Sequence, residues 1–530
     1  MRSFENSGRS LVVARNGMAA TSHPLSTLTA IGILQQGGNA MDAAIAACAV
    51  QCVVEPGSTG VGGDCFALYA PRGIDNIIAY NGSGRAPAAA STDWYAQRGI
   101  RGIERNSPHA VTVPGAVEAW ERLLNDHGTL GLADVLKPAI ELASGGYAIS
   151  PRVNFDWTRQ AQLLGKTTST QRIFLPDGKV PPVGTVHYQR ELASTLQAIA
   201  DGGAKAFYEG AIAESMVGFL RGLGGLHSLD DFAKTRGEYV ATIRSKFRGY
   251  DVVECPPNGQ GIIALLILNI LSRFAPEGDP LDVRRLHIEA EASRLAYDVR
   301  DRYLAENGDG SVPVEWMLSD RLADELAASI NPERAATVLA RPQPPAHSDT
   351  VYITVVDRDR NAASFINSIF TPFGSGLACP NTGVLFHNRG QGFVIQPGHP
   401  NTIGPNKRPL HTIIPAMLAR DKKVVMPFGV MGGQYQALGH ARLLSLILDY
   451  KLDLQSSMDL PRLFPRPNDG KVELESALFD SIGAEMTRRG FEIDRAGAPI
   501  GGAQAIWIDR ENGTLIGGSD PRKDGCALGY

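Results

Sequence analysis

Apolar patterns typical of helices and strands follow one another along this chain, and no linker separates them. Proline-rich runs at 341–345 and 380–409 are short, and no repeat or low-complexity tract is present. Apolar residues recur at helical spacing in six segments: 26–37, 41–54, 114–125, 132–143, 188–223 and 286–304. The last third is instead rich in strand patterns. This texture predicts one interleaved domain over 1–530 rather than several separate domains.

The clearest strand signals come after Pro345. The segment VYITVVDRDRNAASFINSIF predicts two strands around a polar turn at 357–361. A second strand pair is predicted around VELESALFD and AIWIDRENGTLIGG. Near the N-terminus, Ser26 is the predicted cap of a helix that ends at Gly37.

Charge and hydropathy narrow the class of protein. The net charge is -4 and 43% of the residues are hydrophobic, which is ordinary globular composition and excludes an electrostatic nucleic-acid or anionic-membrane binder. The first 17 residues lack the apolar core of a signal peptide, and the longest apolar stretch, 43–54, is too short to span a bilayer. We therefore expect a cytoplasmic protein without membrane or nucleic-acid partners.

Asp349-Thr350 lies between a proline-rich loop, RPQPPAHS, and the start of an apolar strand. If the peptide bond before Thr350 breaks, the new α-amine can serve as general base for the hydroxyl of the same residue. An α-amine has a pKa of about 7.7–8.0 and is partly neutral at physiological pH. From the residues alone, a threonine chosen for its β-propensity at a strand edge is the favoured interpretation.

Other motifs carry less. Gly432-Gly433 could offer consecutive N–H groups to an oxyanion or simply form a turn. The GSTGVGGD run at 57–64 lacks the spacing of a nucleotide-binding loop and indicates tight turns. His287, Glu289 and Glu291 alternate along a helix, so they do not converge on a metal and indicate a solvated helix face. We expect no metal and no cofactor.

Several sequence blocks resemble the γ-glutamyltranspeptidase family, in the order in which that family carries them. They cover nearly the whole chain: GMAATSHPLSTLTAIGILQQGGNAMDAAIAACAVQCVVEPGSTGVGGD, HIEAEASRLAYDVRDRYL, DTVYITVVDRDRNAAS, FGSGL, GPNKRPLHT, MGGQ and GGSDPRKDGCALGY. The pattern is most similar to the cytoplasmic, oxamate amidohydrolase-like branch of the family.

The resemblance implies an α+β fold, a four-layer αββα sandwich of N-terminal-nucleophile hydrolases. It also implies autocatalytic cleavage of a zymogen between Asp349 and Thr350. The products would be a large subunit, 1–349, and a small subunit, 350–530, which stay together as a heterodimer and could form a higher oligomer. The family nucleophile falls on Thr350, the hydroxyl beside it on Ser368, and the oxyanion-hole pair on Gly432 and Gly433.

The positions that hold a γ-glutamyl group in the family do not match. The carboxylate-binding arginine falls on Ser83, although Arg85 stands two residues later. The asparagine near the α-amino group falls on Phe370. The acidic pair falls on Gln391 and Gly392, the two pocket-floor serines on His411 and Thr412, and the lid loop is deleted near QPGHPNTIGPNKRP.

These replacements remove the anion that an α-ammonium group needs. Arg85 and His411 could still hold one carboxylate. We therefore expect a small carboxylate-bearing amide such as oxamate as the substrate, hydrolysed to the acid and ammonia. The alternatives are a γ-glutamyltransferase or glutathione hydrolase, a cephalosporin-acylase-like amidase, a catalytically silent binding protein on this fold, and a nucleotide-binding enzyme that uses the 57–63 turn.

Overall fold

The computed structural model describes residues 8–308, 310–336 and 350–530. The helices in this part of the chain are α1 (Pro24–Gln35), α2 (Ala40–Val54), α3 (Thr92–Ala96), α4 (Ala116–His127), α5 (Leu132–Gly145), α6 (Pro151–Thr158), α7 (Ala161–Leu164), α8 (Thr168–Phe174), α9 (Arg190–Tyr208), α10 (Gly210–Gly222), α11 (Leu229–Ala233), α12 (Gly261–Leu271), α13 (Val283–Tyr303), α14 (Val314–Met317), α15 (Asp320–Ser329), α16 (Gln436–Leu448), α17 (Leu454–Asp459) and α18 (Ser476–Arg488).

The strands are β1 (Val12–Ala14), β2 (Met18–Ala20), β3 (Asp64–Ala70), β4 (Ile78–Gly82), β5 (Tyr147–Ala148), β6 (Val186–His187), β7 (Glu238–Val240), β8 (Ile243–Phe247), β9 (Tyr250–Glu254), β10 (Val351–Val356), β11 (Ala362–Ser368), β12 (Ala416–Arg420), β13 (Lys423–Met431), β14 (Leu463–Pro465), β15 (Val472–Leu474), β16 (Ile493–Arg495), β17 (Gly502–Asp509), β18 (Thr514–Ser519) and β19 (Ala527–Gly529).

Two seven-stranded antiparallel sheets form the centre of the molecule. Sheet I has the order β19-β2-β10-β11-β3-β4-β7, and sheet II has the order β1-β18-β17-β13-β12-β9-β8. The hairpin predicted around 357–361 is confirmed as β10 and β11, with Val351 opposite Asn367. Both sheets combine strands from before and after Thr350, because β2, β3, β4 and β7 flank β10 and β11, while β1, β8 and β9 flank β12, β13, β17 and β18.

The four-layer αββα architecture is confirmed by where the apolar side chains pack. Tyr352 and Val356 of β10 lie between the two sheets, together with Met417 and Ile506 of sheet II. The alternate β10 residues face helices α1, α2, α4, α5 and α9 on the outer side of sheet I. Helices α12, α13, α15 and α16 cover sheet II. Because β10 is covered on both faces, all six of its residues are buried and its sequence reads as a continuous apolar run.

Helix α1 starts earlier than predicted. The predicted cap, Ser26, is wrong, because the helix begins at Pro24 and His23 is the N-cap, its Nδ1 accepting a hydrogen bond from Leu25 N at 3.2 Å. Ser26 is buried inside the helix and donates its hydroxyl to the carbonyl of Ala47 at 2.9 Å. A proline at the first helical position needs no N–H acceptor, which favours the earlier start.

The prediction of a solvated face for His287, Glu289 and Glu291 is also wrong. All three side chains are buried in α13. Arg285 and Arg442 pair with Glu289 at 3.0 and 2.5 Å, and Arg294 pairs with Glu291 at 2.8 Å. Burial is possible because each carboxylate has an arginine partner, a pairing that helical spacing alone does not reveal.

The second predicted strand pair is only partly correct. Strands β17 and β18 form the hairpin expected from AIWIDRENGTLIGG. In VELESALFD only Val472–Leu474 is a strand, which pairs with β14 and β16 in a separate three-stranded sheet, and Ser476 begins helix α18.

No helix within the described ranges is both long enough and apolar enough to cross a bilayer.

Candidate active site

Thr350 stands immediately before β10 and is fully buried. The β10–β11 register brings Ser368, the last residue of β11, beside it, and the two hydroxyl oxygens are 3.2 Å apart. Ser368 Oγ also accepts a hydrogen bond from Phe370 N at 2.9 Å. Either hydroxyl can be the donor in the contact between Ser368 and Thr350. The structure thus brings together two residues that sequence separates by 18 positions. Asp349, on the other side of the predicted scissile bond, lies outside the described residues.

Gln436 is a third polar group at this position. Its Nε2 donates to Thr350 Oγ1 at 3.4 Å, and its Oε1 accepts from Ile414 N at 3.2 Å. It is the first residue of α16 and is completely buried. Sequence analysis missed Gln436, because only folding brings the start of α16 to the start of β10.

Gly432 and Gly433 form the turn between β13 of sheet II and α16. Their φ angles are 129° and 55°, and a Cβ on Gly432 would stand 3.0 Å from the Cα of Gly501. Both peptides are held through their carbonyls, since Tyr435 N donates to Gly432 O and Gln260 Nε2 donates to Gly433 O, each at 3.0 Å. This fixed turn lies three residues before Gln436, so it belongs to the surroundings of Thr350.

Gln260 joins this turn to the predicted pocket floor. The same Nε2 that reaches Gly433 also donates to Thr412 O at 2.9 Å. The side-chain oxygen of Gln260 accepts from Arg300 at 3.3 Å. Gln260 therefore fixes the position of Thr412 relative to the glycine pair.

Of the two residues at the family's carboxylate position, neither has a free side chain. Ser83 Oγ donates to Asn81 Oδ1 at 2.7 Å and accepts from Asn258 Nδ2 at 3.2 Å. The guanidinium of Arg85 is 2.5 Å from Glu306 and donates to the carbonyl of Asn406 at 2.9 Å. The side chain of Arg85 is also 39% exposed.

Gln391 is held by its own loop. Its Oε1 accepts from Asn388 Nδ2 at 2.6 Å, and its Nε2 donates to the carbonyl of Ile103 at 3.0 Å. The amide is therefore committed to the protein, and neither it nor Gly392 supplies an anion.

His411 belongs to a buried cluster with Asp64 and His387. His411 Nε2 donates to Asp64 Oδ2 at 3.0 Å, and its Nδ1 accepts from Ile413 N at 3.3 Å, which fixes a neutral tautomer. Burial and the nearby Arg389 lower the pKa of His411 to about 3. Burial by itself would raise the pKa of Asp64, but charge and hydrogen-bond interactions with His387 and His411 hold it below its usual range.

Arg389 lies fully buried over the ring of Phe370, with its guanidinium carbon 4.2 Å from the ring centroid. Its Nη1 donates to Thr412 Oγ1 at 2.8 Å. Phe370 adopts a φ of 81°, which is unusual for a bulky residue. Burial lowers the pKa of Arg389 to about 9, opposed by the charge of Asp64, so the side chain is still a cation at neutral pH. Sequence analysis missed Arg389, although it stands two residues from Gln391.

An open cleft of about 280 Å³ adjoins the glycine turn. Pro372, Gly432, Tyr435 and Phe464 line its inner part. Charged side chains stand on its wall: Arg152, Asp156, Arg159 and Glu473. Within the described ranges, no three histidine, cysteine, aspartate or glutamate side chains are grouped in a way that could hold a metal ion.

Comparison with known proteins gives a consistent result. The gamma-glutamyltranspeptidase family model matches residues 26–530. The chain is 36% identical to a glutathione hydrolase-like YwrD proenzyme of Bacillus subtilis, over 98% of this chain and 99% of that protein. It is 32% identical to an oxamate amidohydrolase proenzyme of Klebsiella pneumoniae, with the same two coverages.

The fold has a solved counterpart. The crystal structure of a cephalosporin acylase from Bacillus halodurans superimposes with a TM-score of 0.92 at 37% identity. It covers 99% of this chain and 98% of its own.

Proposed function

Because the chain belongs to the γ-glutamyltranspeptidase family, whose members act as hydrolases of amide bonds, we propose that its precursor cuts itself between Asp349 and Thr350. Thr350 then hydrolyses a small carboxylate-bearing amide such as oxamate. The observation that carries this proposal is the position of the Thr350 hydroxyl, which lies at the head of a buried strand between Ser368 and Gln436.

Self-cleavage begins with attack of Thr350 Oγ1 on the carbonyl carbon of Asp349. The C–N bond breaks, the Thr350 nitrogen takes up the proton from the hydroxyl, and an ester joins Asp349 to Thr350 Oγ1. Water opens the ester. This yields residues 1–349 with a new carboxylate and residues 350–530 with a free N-terminal threonine.

The cleaved enzyme repeats the chemistry on its substrate. Thr350 Oγ1 attacks the amide carbon while the α-amine accepts the hydroxyl proton. The N–H groups of Gly432 and Gly433 stabilise the oxyanion, and loss of one such donor typically costs about 10²–10³-fold in rate. Ammonia or an amine departs with a proton, and water then hydrolyses the ester to release the acid.

The proposed substrate preference depends on the absence of a negative charge at the positions that bind an α-ammonium group in the family. A γ-glutamyl group carries an ammonium that needs an anion, and a charge-assisted hydrogen bond contributes about 1.5–3 kcal/mol. The positions that supply this anion in the family hold Gln391 and Gly392, and Phe370 stands where the family has an asparagine. Gln391 is already hydrogen-bonded to Asn388 and Ile103. An acyl group with a carboxylate and no amine fits this site better.

A larger acyl group, as in a cephalosporin-acylase-like amidase, is the second candidate. The cleft of about 280 Å³ beside Gly432 supports it, since it offers room for a substituent that oxamate lacks.

Two measurements test the proposal. Purified protein should give two bands on a denaturing gel, cut before Thr350, and Thr350→Ala should give one. An uncut wild-type chain with full activity would contradict self-cleavage. In steady-state assays, kcat/KM for oxamate should exceed that for a γ-glutamyl anilide, and the reverse order would restore the glutathione hydrolase alternative.

A further inference from the structure

One edge of the Arg389 guanidinium, formed by Nε and Nη2, has unsatisfied hydrogen-bond donors. Its Nη1 donates to Thr412, but Nε and Nη2 have no hydrogen-bond partner among the described residues. No described carboxylate lies within ion-pair distance of it, whereas other buried arginines, such as Arg442, have one. A buried cation with unsatisfied donors is costly, and most such groups in proteins are paired.

Asp64, whose negative charge acts on Arg389, does not accept hydrogen bonds from these donors. Asp64 Oδ2 is held by His411 at 3.0 Å and faces His387 at 3.4 Å. Its Oδ1 accepts from Gly84 N and Gly115 N at 2.9 and 3.2 Å. Asp64 therefore attracts Arg389 at a distance without forming hydrogen bonds to it. No carboxylate within the described ranges completes the guanidinium, which leaves its Nε and Nη2 donors for an added anion.

Two short chains of contacts connect Arg389 to the reacting groups. On one side its guanidinium stacks on Phe370, whose N–H bonds Ser368, which in turn contacts Thr350. On the other side Thr412 shares the Gln260 side chain with Gly433. Arg389 is thus connected through neighbouring residues both to Thr350 and to the Gly432-Gly433 turn.

We propose that Arg389 binds the carboxylate of the substrate through Nε and Nη2. These two donors lie on the same edge of the guanidinium and match the two oxygens of a carboxylate in a bidentate pair. This assignment rests on the proposed amide hydrolysis at Thr350 and replaces Arg85 and His411 as carboxylate ligands. Arg85 is engaged by Glu306 and Asn406, and His411 by Asp64. The class of substrate that follows is a short amide with its carboxylate close to the scissile carbonyl.

The test compares a charged and a neutral substrate of the same shape, oxamate and oxamide. In Arg389→Gln, kcat/KM for oxamate should fall about 10- to 100-fold while that for oxamide changes little. Arg389→Lys should recover part of the loss, because it keeps the charge without the planar edge. Self-cleavage on a denaturing gel shows that each variant has folded. A variant in which both substrates decline equally would indicate a purely structural role and overturn the proposal.

Arg85→Gln tests the alternative that Arg85 binds the carboxylate. If that change, rather than Arg389→Gln, removes the preference for oxamate, the carboxylate binds at Arg85 and the inference is wrong. Arg389→Lys still decides the matter if Arg389→Gln does not fold.

Calorimetric titration with oxalate separates this inference from the proposed reaction. We expect cleaved wild-type protein to bind oxalate and Arg389→Gln to bind it at least tenfold more weakly. Amide turnover with equal oxalate binding by both proteins would refute the carboxylate site alone. Binding that depends on Arg389, without turnover of any amide, would refute the reaction and leave the site standing.

Discussion

The Thr350 hydroxyl lies 3.2 Å from that of Ser368, and Ser368 is fixed by the N–H of Phe370. This arrangement would orient the proposed nucleophile, Thr350, through the hydroxyl group of a neighbouring residue. A net hydrogen bond contributes about 0.5–1.5 kcal/mol, and each 1.4 kcal/mol is a factor of ten in rate.

We therefore expect Ser368→Ala to slow both self-cleavage and substrate turnover by about tenfold. Ser368→Thr should retain both, since it keeps the hydroxyl. Ser364→Ala is the matched control, because Ser364 lies on the same strand but bonds Tyr352 instead. Band formation with time and kcat provide the readouts. Equal slowing in the two alanine variants would contradict a specific role for Ser368.

For single residues, the sequence indicated a role only where the residue stands in a family motif, and these roles stay predictions. Thr350, Ser368, Gly432 and Gly433 could be aligned with family blocks, and the structure brings Ser368 to Thr350. Asp64, Arg389 and Gln436 could not be assigned a role, because each depends on a contact made across the fold. An arginine in NRGQGF resembles a surface residue until packing removes it from water.

Among the elements, the turn from β13 to α16 is the most restricted. Gly432 has a φ of 129°, and a Cβ there would stand only 3.0 Å from the Cα of Gly501. Gly432→Ala should reduce kcat by about 100-fold and destabilise the fold by about 1–3 kcal/mol. Gly513→Ala, at a φ of 68° in an open hairpin turn, is the control. It should lower the melting temperature without changing kcat, and a similar loss of kcat in both variants would argue against an oxyanion role for the turn.

A second element-level prediction concerns pH. His187 of β6 is buried among Tyr147, Trp157 and Phe174, and burial lowers its pKa to about 4. The unfolded chain binds this proton with a pKa of about 6.5. The neutral side chain therefore contributes stability that is present above pH 6.5 and is lost as the pH falls towards 4.

His187→Phe should remove this dependence. When the pH falls from 8 to 5, the wild-type protein should lose about 2 kcal/mol of its free energy of unfolding through protonation of His187 in the unfolded chain. The variant should not show this loss. Denaturant unfolding at four pH values, measured in the uncut Thr350→Ala background so that one chain unfolds, provides the comparison. Parallel pH profiles of the two proteins would show that His187 is not the group responsible.

Element types were predicted better than their ends and partners. The β10–β11 hairpin and helices α2, α4 and α5 follow from apolar spacing, since packing and periodicity agree there. The start of α1, the buried acids of α13 and the strand-to-helix change after Leu474 were missed. Each depends on tertiary partners: His23 as a cap, arginines beside Glu289 and Glu291, and a third small sheet.

In the whole molecule, strands from both sides of Thr350 are combined within both sheets. Strand β10 has β2 from the large part as one neighbour and β11 from the small part as the other. The proposed fragments 1–349 and 350–530 would therefore share two sheets and the core between them, and the proposed cleavage would not separate any layer.

We expect the two fragments to elute together in size-exclusion chromatography under native conditions and to separate only in denaturant. We expect this because separating the two fragments would expose the apolar core between the sheets around Tyr352 and Met417 to water. Mass spectrometry of the native peak should show one copy of each fragment. Separate elution without denaturant would contradict the interleaved heterodimer.

The same interleaving makes folding before the proposed cut different from refolding after it. A precursor folds as one chain, so β10 finds its neighbours by an intramolecular search whose cost grows slowly with loop length. After the cut, a denatured pair must meet by diffusion, and its recovery depends on concentration. If the chain is cut before Thr350, we therefore expect the mature enzyme to be kept folded by a slow rate of unfolding rather than by an ability to refold.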